Sequence, residues 1–355
     1  MGVSIPSVPG VLTADQIRQT ADSIVATQLP SGAIPWFEHG HTDPWDHVQA
    51  AMGLSAAGRL PEAERAYQWL RDVQRPDGSW AIRYVDGVIE DAHADSNFCA
   101  YIATGVWHHW QVTGDRAFVD SMWPTVARGI EVVLEMQRAD GAIAWARSAT
   151  RVEPDALVTG NASIHLSLRC AIALADLVGD VRPDWELAAG RVRHALDEHP
   201  ELFNPKPTHS MDWYYPLLGG ALPHERGASR IDGRWDEFVV DGLGVRCVST
   251  NPWVTGGETC ELALAVDTLG RTDEARAQLA AMQHLREDDG SYWTGLVYDA
   301  DVRWPIERTT WTAATVILAA DAISRTTPAN GLFRGNGLPV CEWEVSDACP
   351  CPSPL

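Results

Sequence analysis

Polar and apolar positions recur in a fixed order along this chain. Each unit begins with an amphipathic helical segment, continues through a loop that contains Gly and Trp, and ends in a helical run of small apolar residues. The first unit reads TADQIRQTADSIVATQ, LPSGAIPWFEHGHT and DPWDHVQAAMGLSAAG, and Thr13 with Gln16 predicts a capping box for its opening helix. Recurrence of this kind indicates an architecture built from one repeated unit.

Six such units follow one another, and the fourth is degenerate. The first helix of each pair is polar on one side, which is typical of a surface helix, whereas the second is apolar nearly all round, which is typical of a buried helix. The pattern predicts an all-α, single-domain (α/α)6 barrel, a toroid of six hairpins with parallel inner helices. We expect the barrel over residues 1–325 and a partly irregular C-terminal tail over residues 326–355.

The charge of the chain restricts its partners. The formal net charge is −21, and Lys206 is its one lysine. Such a surface repels nucleic acid and anionic membranes, so a neutral oligo- or polysaccharide is the best-fitting partner. The 16 tryptophans offer apolar faces of the kind that suits sugar rings. The oligomeric state is left open.

Cysteine usage and hydropathy bear on the compartment. Seven cysteines occur without a CxxC pair, so zinc binding is not indicated, and we expect neither a metal nor another cofactor. Cys349 and Cys351 lie in a Pro-rich tail. The chain does not open with a basic segment followed by an apolar one, and 18 consecutive apolar residues are nowhere found. These features favour a cytoplasmic protein.

Acidic and aromatic residues collect where the inner helices begin. If the inner helices are parallel, their N-terminal ends line one common cleft. The candidate residues at this end are Asp43, Asp46, His47, Asp95, Asn97, Asp212, Trp213, Tyr214, Glu258, Glu261, Glu307 and Trp311, with Trp36, His39 and Trp253 from the loops. Any one acid could simply cap a helix, and Asp43 before Pro44 fits that role. The recurrence of acids with tryptophans favours a functional cleft.

Glycoside hydrolysis is the chemistry that fits an acidic, aromatic cleft. It needs one carboxyl that donates a proton to the leaving oxygen and one carboxylate that activates water or attacks carbon. Burial and mutual repulsion of neighbouring acids can separate their pKa values. We predict Asp46 as the base and Glu258 as the acid, with the reverse assignment left open and Asp43 and Glu261 as alternates.

The remaining candidates are assigned to substrate binding. The tryptophans would stack against sugar faces, and the polar side chains would bond to hydroxyl groups. The predicted substrate-binding residues are Trp36, His39, His47, Asp95, Asn97, Asp212, Trp213, Tyr214, Trp253, Glu307 and Trp311.

Four segments carry a family resemblance. GHTDPWDHVQAAM, MDWYYPLLGGAL, GVRCVSTNPWVTGGETCELAL and YWTG followed by WPIERTTWTAATVILAADA resemble actinobacterial proteins labelled prenyltransferase- or squalene-cyclase-like. That group includes mycobacterial hydrolases of methylmannose polysaccharide. The resemblance implies an endo-acting α-mannosidase that cleaves a neutral, partly O-methylated intracellular polymer.

Two other functions are weighed against this one. The segment QRPDGSW is similar to the QW repeat of triterpene cyclases, but the chain lacks the DxDD and DDxxD clusters that terpene chemistry uses, and Gln, Gly and Trp could staple hairpins together whatever the chemistry. A terpene cyclase or prenyltransferase-like enzyme is therefore one alternative. A non-catalytic carbohydrate-binding protein is the other, and it would tolerate loss of any single acid.

Overall fold

The computed structural model describes residues 2–340, and most of these residues are helical. The α-helices are α1 (Ala14–Thr27), α2 (Pro44–Ala56), α3 (Leu60–Val73), α4 (Ser96–Ala100), α5 (Ile102–Thr113), α6 (Arg116–Glu135), α7 (Val158–Val178), α8 (Pro183–Glu198), α9 (Ser210–Leu218), α10 (His224–Asp232), α11 (Trp235–Phe238), α12 (Gly256–Thr268), α13 (Thr272–Ala281) and α14 (Thr310–Ser324).

Six of these helices contact one another in a closed cycle. In order of contact they are α2, α5, α7, α9, α12 and α14, and α14 packs back against α2. A further helix packs against each: α3 on α2, α6 on α5, α8 on α7, α10 on α9, α13 on α12 and α1 on α14. Because the cycle closes, α14 lies between α2 and α12, and the first and fifth inner helices are separated by a single helix.

Burial follows the predicted contrast between the two kinds of helix. On α1, the buried residues Ile17, Thr20, Ala21 and Ile24 recur at helical spacing, whereas nearly every residue of α2 is buried. The predicted capping box is also present, since Thr13 Oγ1 accepts from the Gln16 backbone N–H and the Gln16 side chain accepts from Thr13. The helical pattern of the sequence therefore specified both the elements and their buried faces.

Short antiparallel strands occupy the loops between the helices. They are β1 (Arg83–Val85), β2 (Val88–Asp91), β3 (Ala94–Asp95), β4 (Ala146–Arg147), β5 (Val239–Val240), β6 (Gly244–Arg246), β7 (Trp253–Thr255), β8 (Gly295–Val297) and β9 (Val302–Arg303). β1 pairs with β2 and β3 with β4, and the last five form one sheet in sequence order. The mostly helical content agrees with the prediction, and strands of two to four residues are too short to produce the alternating hydropathy pattern that would have predicted them.

A glutamine fastens neighbouring hairpins together at three of the loops. The Gln74 amide Nε2 donates to the carbonyls of Gly78 and Thr125, at 2.9 Å each. Gly78 has a φ of +87°, and a Cβ at this position would lie 2.7 Å from the Arg128 carbonyl oxygen. Equivalent bonds link Gln28 to Gly32 and Glu62, and Gln137 to Gly141 and Ala188. The predicted stapling role of the glutamine and the glycine is confirmed.

One helix, α7, is long and apolar enough to cross a membrane by length and composition, but 78% of its apolar window is buried inside the molecule. Core helices of this kind pass the same test, so the feature is weak evidence for a span. Residues 326–340 form turns that pack on the body, with Leu332 fully buried. Arg325 and Arg334 both pair with Asp267 there. The rest of the predicted tail, including Cys341, Cys349 and Cys351, lies outside the described residues.

Candidate active site

Two aspartates at the head of α2 perform different tasks. Asp43 is the N-cap, and its Oδ1 accepts from the Asp46 backbone N–H at 2.9 Å. The Asp46 carboxyl bonds to the Asp43 side chain, and does not complete a capping box with the Asp43 backbone. Burial raises the pKa of Asp46 well above its usual range, and the nearby charges of Asp43, Glu261 and Glu258 raise it further. The structure therefore brings all four predicted acids together.

Glu261 is buried and fully bonded. Its Oε2 accepts from the Tyr214 hydroxyl at 2.6 Å, and its Oε1 accepts from the Tyr215 hydroxyl at 3.0 Å and from Gln49 Nε2 at 3.3 Å. Burial raises the Glu261 pKa to about 7, while the tyrosine bonds oppose this rise and the charge of Glu258 adds to it. Because three donors already bond to its two oxygens, we expect Glu261 to act through its charge, which raises the pKa of Asp46.

Glu258 stands one turn before Glu261 on α12 and has a different environment. Its side chain is buried, and its Oε2 has no hydrogen-bond partner among the described residues. The Cys247 thiol contacts the same carboxyl, and burial followed by the charge of Glu258 raises the pKa of that thiol. A buried carboxyl oxygen without a partner is costly unless a ligand or water satisfies it, so Glu258 is the acid best placed to meet a substrate atom.

A third helix head contributes to the same acidic region. Asp95 caps α4, accepting from the backbone N–H groups of Asn97 at 2.8 Å and Phe98 at 3.2 Å. Burial raises the Asp95 pKa to about 7, and the charge of Asp43 contributes to the rise. The Oδ1 of Asn97 is buried and has no partner among the residues that the structure describes. Asp95 and Asn97 thus lie beside the head of α2, as predicted.

Stacked aromatic rings form one wall beside the acids. The Trp36 ring stacks on Trp311, with centroids 5.5 Å apart, and on His41 at 6.1 Å. Trp36 Nε1 donates to Glu307 Oε1 at 2.9 Å. Trp311 packs so closely on Gly257 that a Cβ there would lie 2.1 Å from its Cζ3 atom. Since Gly257 immediately precedes Glu258, this stack adjoins the acidic cluster.

A second aromatic pair lies on the sheet that leads into α12. Trp253 of β7 meets Trp304 edge-on, with centroids 4.9 Å apart, and its Nε1 donates to the Trp304 carbonyl at 2.8 Å. Trp304 is 52% exposed. The pair therefore presents an apolar surface to solvent at the end of the molecule where the acids gather.

Four predicted substrate-binding residues have other partners. Both ring nitrogens of His47 bond to backbone groups of Ile34 and Ala66, at 2.9 Å each, so this histidine is structural. Trp213 is fully buried, stacks on Phe238 and donates to the Arg230 carbonyl.

The other two residues are Asp212 and His39. Asp212 accepts from the Thr159 hydroxyl at 2.6 Å and from the Lys206 backbone N–H at 3.2 Å, and therefore holds two segments of chain together. His39 is exposed in a loop with a φ of +64°, and its Nε2 lies 3.8 Å from the Glu38 carboxylate.

The sequence interpretation missed two residues of the acid cluster. Tyr215 and Gln49 both donate to Glu261, and the Tyr101 hydroxyl in turn donates to Gln49 Oε1 at 3.0 Å. Gln49 could have been predicted from the sequence, because a buried polar residue within an apolar helix needs a hydrogen-bond partner. For Tyr215 the MDWYYPLL segment offers two adjacent tyrosines, and sequence alone does not say that both reach one carboxyl.

Comparison with solved structures defines the class of the fold. A wild-type glycosidase superposes with a TM-score of 0.70 at 16% identity, covering 90% of this chain and 97% of the other. A D-mannose isomerase gives 0.68 at 10% identity, covering 88% and 97%. A rhamnosidase from Klebsiella oxytoca with rhamnose bound gives 0.63 at 14% identity, covering 90% and 65%. The fold is one that glycosidases use.

Sequence comparison then identifies the family. The chain is 61% identical over 347 residues to an MMP endo-(1,4)-3-O-methyl-alpha-D-mannosidase of Mycolicibacterium hassiacum, covering 98% of this chain and 97% of the relative. No family model matches the chain. At this identity over nearly both full lengths, the chain belongs to the family of that mannosidase, and it is a glycoside hydrolase.

Proposed function

We propose that the protein is an endo-acting α-mannosidase that cleaves a neutral, 3-O-methylated mannose polysaccharide, with Asp46 as base and Glu258 as acid. The observation that carries the proposal is the convergence of four acids at the heads of α2 and α12 in a chain 61% identical to a mannosidase of that specificity. Glycoside hydrolysis needs two carboxyl groups on opposite sides of one bond, and we assign that pair to these helix heads.

We infer that the helices form a six-hairpin (α/α)6 barrel. The inference rests on the closed cycle of α2, α5, α7, α9, α12 and α14, and on the outer helix that packs against each member. In such a barrel the heads of α2 and α12 would both open onto the mouth, with the head of α14 between them. We place the reacting sugar between Asp46 and Glu258.

In the proposed reaction, each of the two carboxyl groups transfers one proton. Protonated Glu258 gives its proton to the glycosidic oxygen as the bond from that oxygen to the anomeric carbon breaks. A water molecule attacks the same carbon, and Asp46 takes the proton that this water loses. The chain end that leaves carries the Glu258 proton, the other end carries the hydroxyl from water, and the carboxyls exchange protons with solvent to restore the starting state.

The surroundings of each acid support this assignment. The Oε2 of Glu258 can point its proton at an incoming oxygen, because this atom has no hydrogen-bond partner among the described residues. A carboxylate whose pKa is raised is a stronger base, and Asp46 has the charges of three acids around it. Trp36 is partly exposed and suits the apolar face of a methylated sugar, while the buried Trp311 stacks on it and supports it.

We also place the enzyme in the cytoplasm. The described cysteines Cys99, Cys170, Cys247 and Cys260 carry free thiols, and free thiols are favoured in a reducing compartment. A neutral intracellular polymer would meet the enzyme there.

Glu258→Gln tests the acid. We expect this variant to fold and to lose about 10²–10⁴-fold in the rate of new reducing ends from methylated mannan oligosaccharides. The same variant should retain more of its activity on an aryl mannoside with a good leaving group, since such a group departs without a proton. Glu186→Gln, on the exposed outer face of α8, is the matched control and should behave as wild type.

Asp46→Asn tests the base. We expect it to be impaired on both substrates, because attack by water is needed for each, and added azide should restore turnover of the aryl mannoside as a glycosyl azide. If folded Glu258→Gln cleaves the oligosaccharides at the wild-type rate, the assignment of the acid fails. If the wild-type protein binds the oligosaccharides and never cleaves them, it is a binding protein.

A further inference from the structure

A groove of about 620 Å³ lies on the surface next to the aromatic stack. It runs between α1 and the segment that precedes α14. Its walls include Ser23, Thr27, Phe37, Trp293, Ile306 and Glu307. Sites that hold drug-sized ligands commonly span roughly 300–1,000 Å³, so the groove is large enough for a portion of an oligosaccharide.

The groove combines apolar side chains with hydrogen-bond acceptors. Ile306 is 83% exposed, and it matters here because other apolar side chains lie on the same walls, since contiguous apolar surface marks binding sites. Phe37 and Trp293 are partly exposed beside it. The carboxylates of Asp22, Glu38 and Asp289 also line the groove, and Arg308 pairs with Asp289 at 2.9 Å.

The side chains of the groove determine which charge a bound molecule can carry. Carboxylates accept hydrogen bonds from hydroxyl groups and repel anions, so a neutral polyol fits the groove better than a phosphate or a uronate. The apolar side chains would meet the methyl groups and the carbon face of a methylated sugar. An unmethylated hydroxyl at the same position would be desolvated against Ile306 without a partner.

A chain of side-chain contacts connects the groove with the acid site. Glu307 lines the groove, and its Oε1 accepts from Trp36 Nε1 at 2.9 Å. Trp36 stacks on Trp311, which packs against Gly257 beside Glu258. A chain lying across Trp36 would therefore reach the groove directly after leaving the acids.

We propose that this groove is an accessory subsite that binds the methylated glycan chain outside the reacting sugar. The inference rests on the proposed function, because the occupant is the substrate of the same enzyme. An enzyme that cuts within a chain has to hold sugars beyond the scissile bond. The groove supplies such a binding surface, and Ile306 is the side chain that would contact the methyl groups.

Ile306→Ser and Phe37→Ser test the subsite by comparing two substrate lengths. On long methylated polysaccharide we expect each variant to raise KM about threefold or more with little change in kcat, since the lost contacts are apolar and distant from the bond broken. On the shortest oligosaccharide that wild type cleaves, both variants should match wild type. Val181→Ser is the matched control, because Val181 is 68% exposed and follows the C-terminal end of α7, away from the helix heads.

The outcomes separate this inference from the proposed function. If wild type cleaves both substrates and the variants show the same KM as wild type on the long one, the groove does not bind the chain. Equal losses on both lengths would also overturn the subsite, because they would place Ile306 next to the reacting sugar. Failure of wild type to cleave either substrate would instead refute the proposed function.

Discussion

At the scale of single residues, the angle between neighbours on a helix decides which side chains reach the acid cluster. Successive residues lie about 100° apart and residues three apart share a face. Asp43 and Asp46, like Glu258 and Glu261, are three apart, and both pairs meet. His47 follows Asp46 directly and points instead to the backbone of Ala66.

The same geometry explains what the sequence could and could not specify about the site. The acids were predicted because they stand at the heads of inner helices whose N-terminal ends were expected to line one cleft. Trp213 packs on Phe238, whereas its neighbour Tyr214 donates to Glu261, as Tyr215 also does. Which of two adjacent aromatic residues faces inward depends on the rotation of α9 about its axis, and that rotation is set by distant helices. The catalytic roles stay a prediction.

Asp43→Asn isolates one charge. Asparagine caps a helix about as well as aspartate, so the head of α2 should be kept. Asp46 must be ionised to act as a base, and the charge of Asp43 raises the Asp46 pKa. In wild type, activity should therefore rise with pH as Asp46 loses its proton, at a pH above the usual range for an aspartate. Removing that charge lowers the Asp46 pKa. We therefore expect the acid-side limb of the kcat/KM profile to move to lower pH.

The measurement is a pH profile of kcat/KM for wild type and variant on one oligosaccharide. A variant that loses activity at every pH, without a displaced limb, would show that the Asp43 carboxylate itself takes part in the chemistry.

At the scale of elements, the hairpins are joined by side chain to backbone bonds as well as by apolar packing. Gln28, Gln74 and Gln137 each donate to a glycine carbonyl in their own loop. Each also donates to a backbone carbonyl of the outer helix in the next hairpin. The recurring Gln and Gly in the sequence predicted this link. The strands of the loops were not predicted, because they are too short to show alternating hydropathy and because β7 pairs with β8 across the whole of α12 and α13.

Gln74→Ala tests the link. The substitution leaves the buried carbonyls of Gly78 and Thr125 without their donor, which should lower the free energy of unfolding by about 1–3 kcal/mol. Gln68→Ala is the control, since Gln68 is exposed on the neighbouring helix α3. Urea unfolding of the two variants measures the difference. Equal midpoints for both variants would show that the bonds add nothing to stability.

At the scale of the whole molecule, the net charge of −21 restricts which polymers can approach. Helix heads that carry Asp43, Asp46, Asp95, Glu258 and Glu261 strengthen the negative potential at the proposed mouth. The family is shown by sequence identity, while the grouping with prenyltransferase- and squalene-cyclase-like proteins stays a prediction. Neutral substrates are the ones that this potential admits.

A polyuronate should therefore be a poor competitor. In a hydrolysis assay at about 10 mM ionic strength, where charges act over roughly 30 Å, polygalacturonate should not inhibit, whereas an uncleaved neutral mannan should. Any weak inhibition by the polyuronate should grow as salt screens the repulsion. Inhibition that is strongest at low salt would reveal a basic binding surface and contradict this expectation.

The closure of the helix cycle has a consequence for biosynthesis. The acids come from α2 and α12, and α14, which separates them, packs against both and also against α1. The segment up to Ser324 must therefore emerge from the ribosome before the two carboxyl pairs can be held in place. A nascent or prematurely terminated chain that lacks α14 is therefore expected to have no hydrolytic activity.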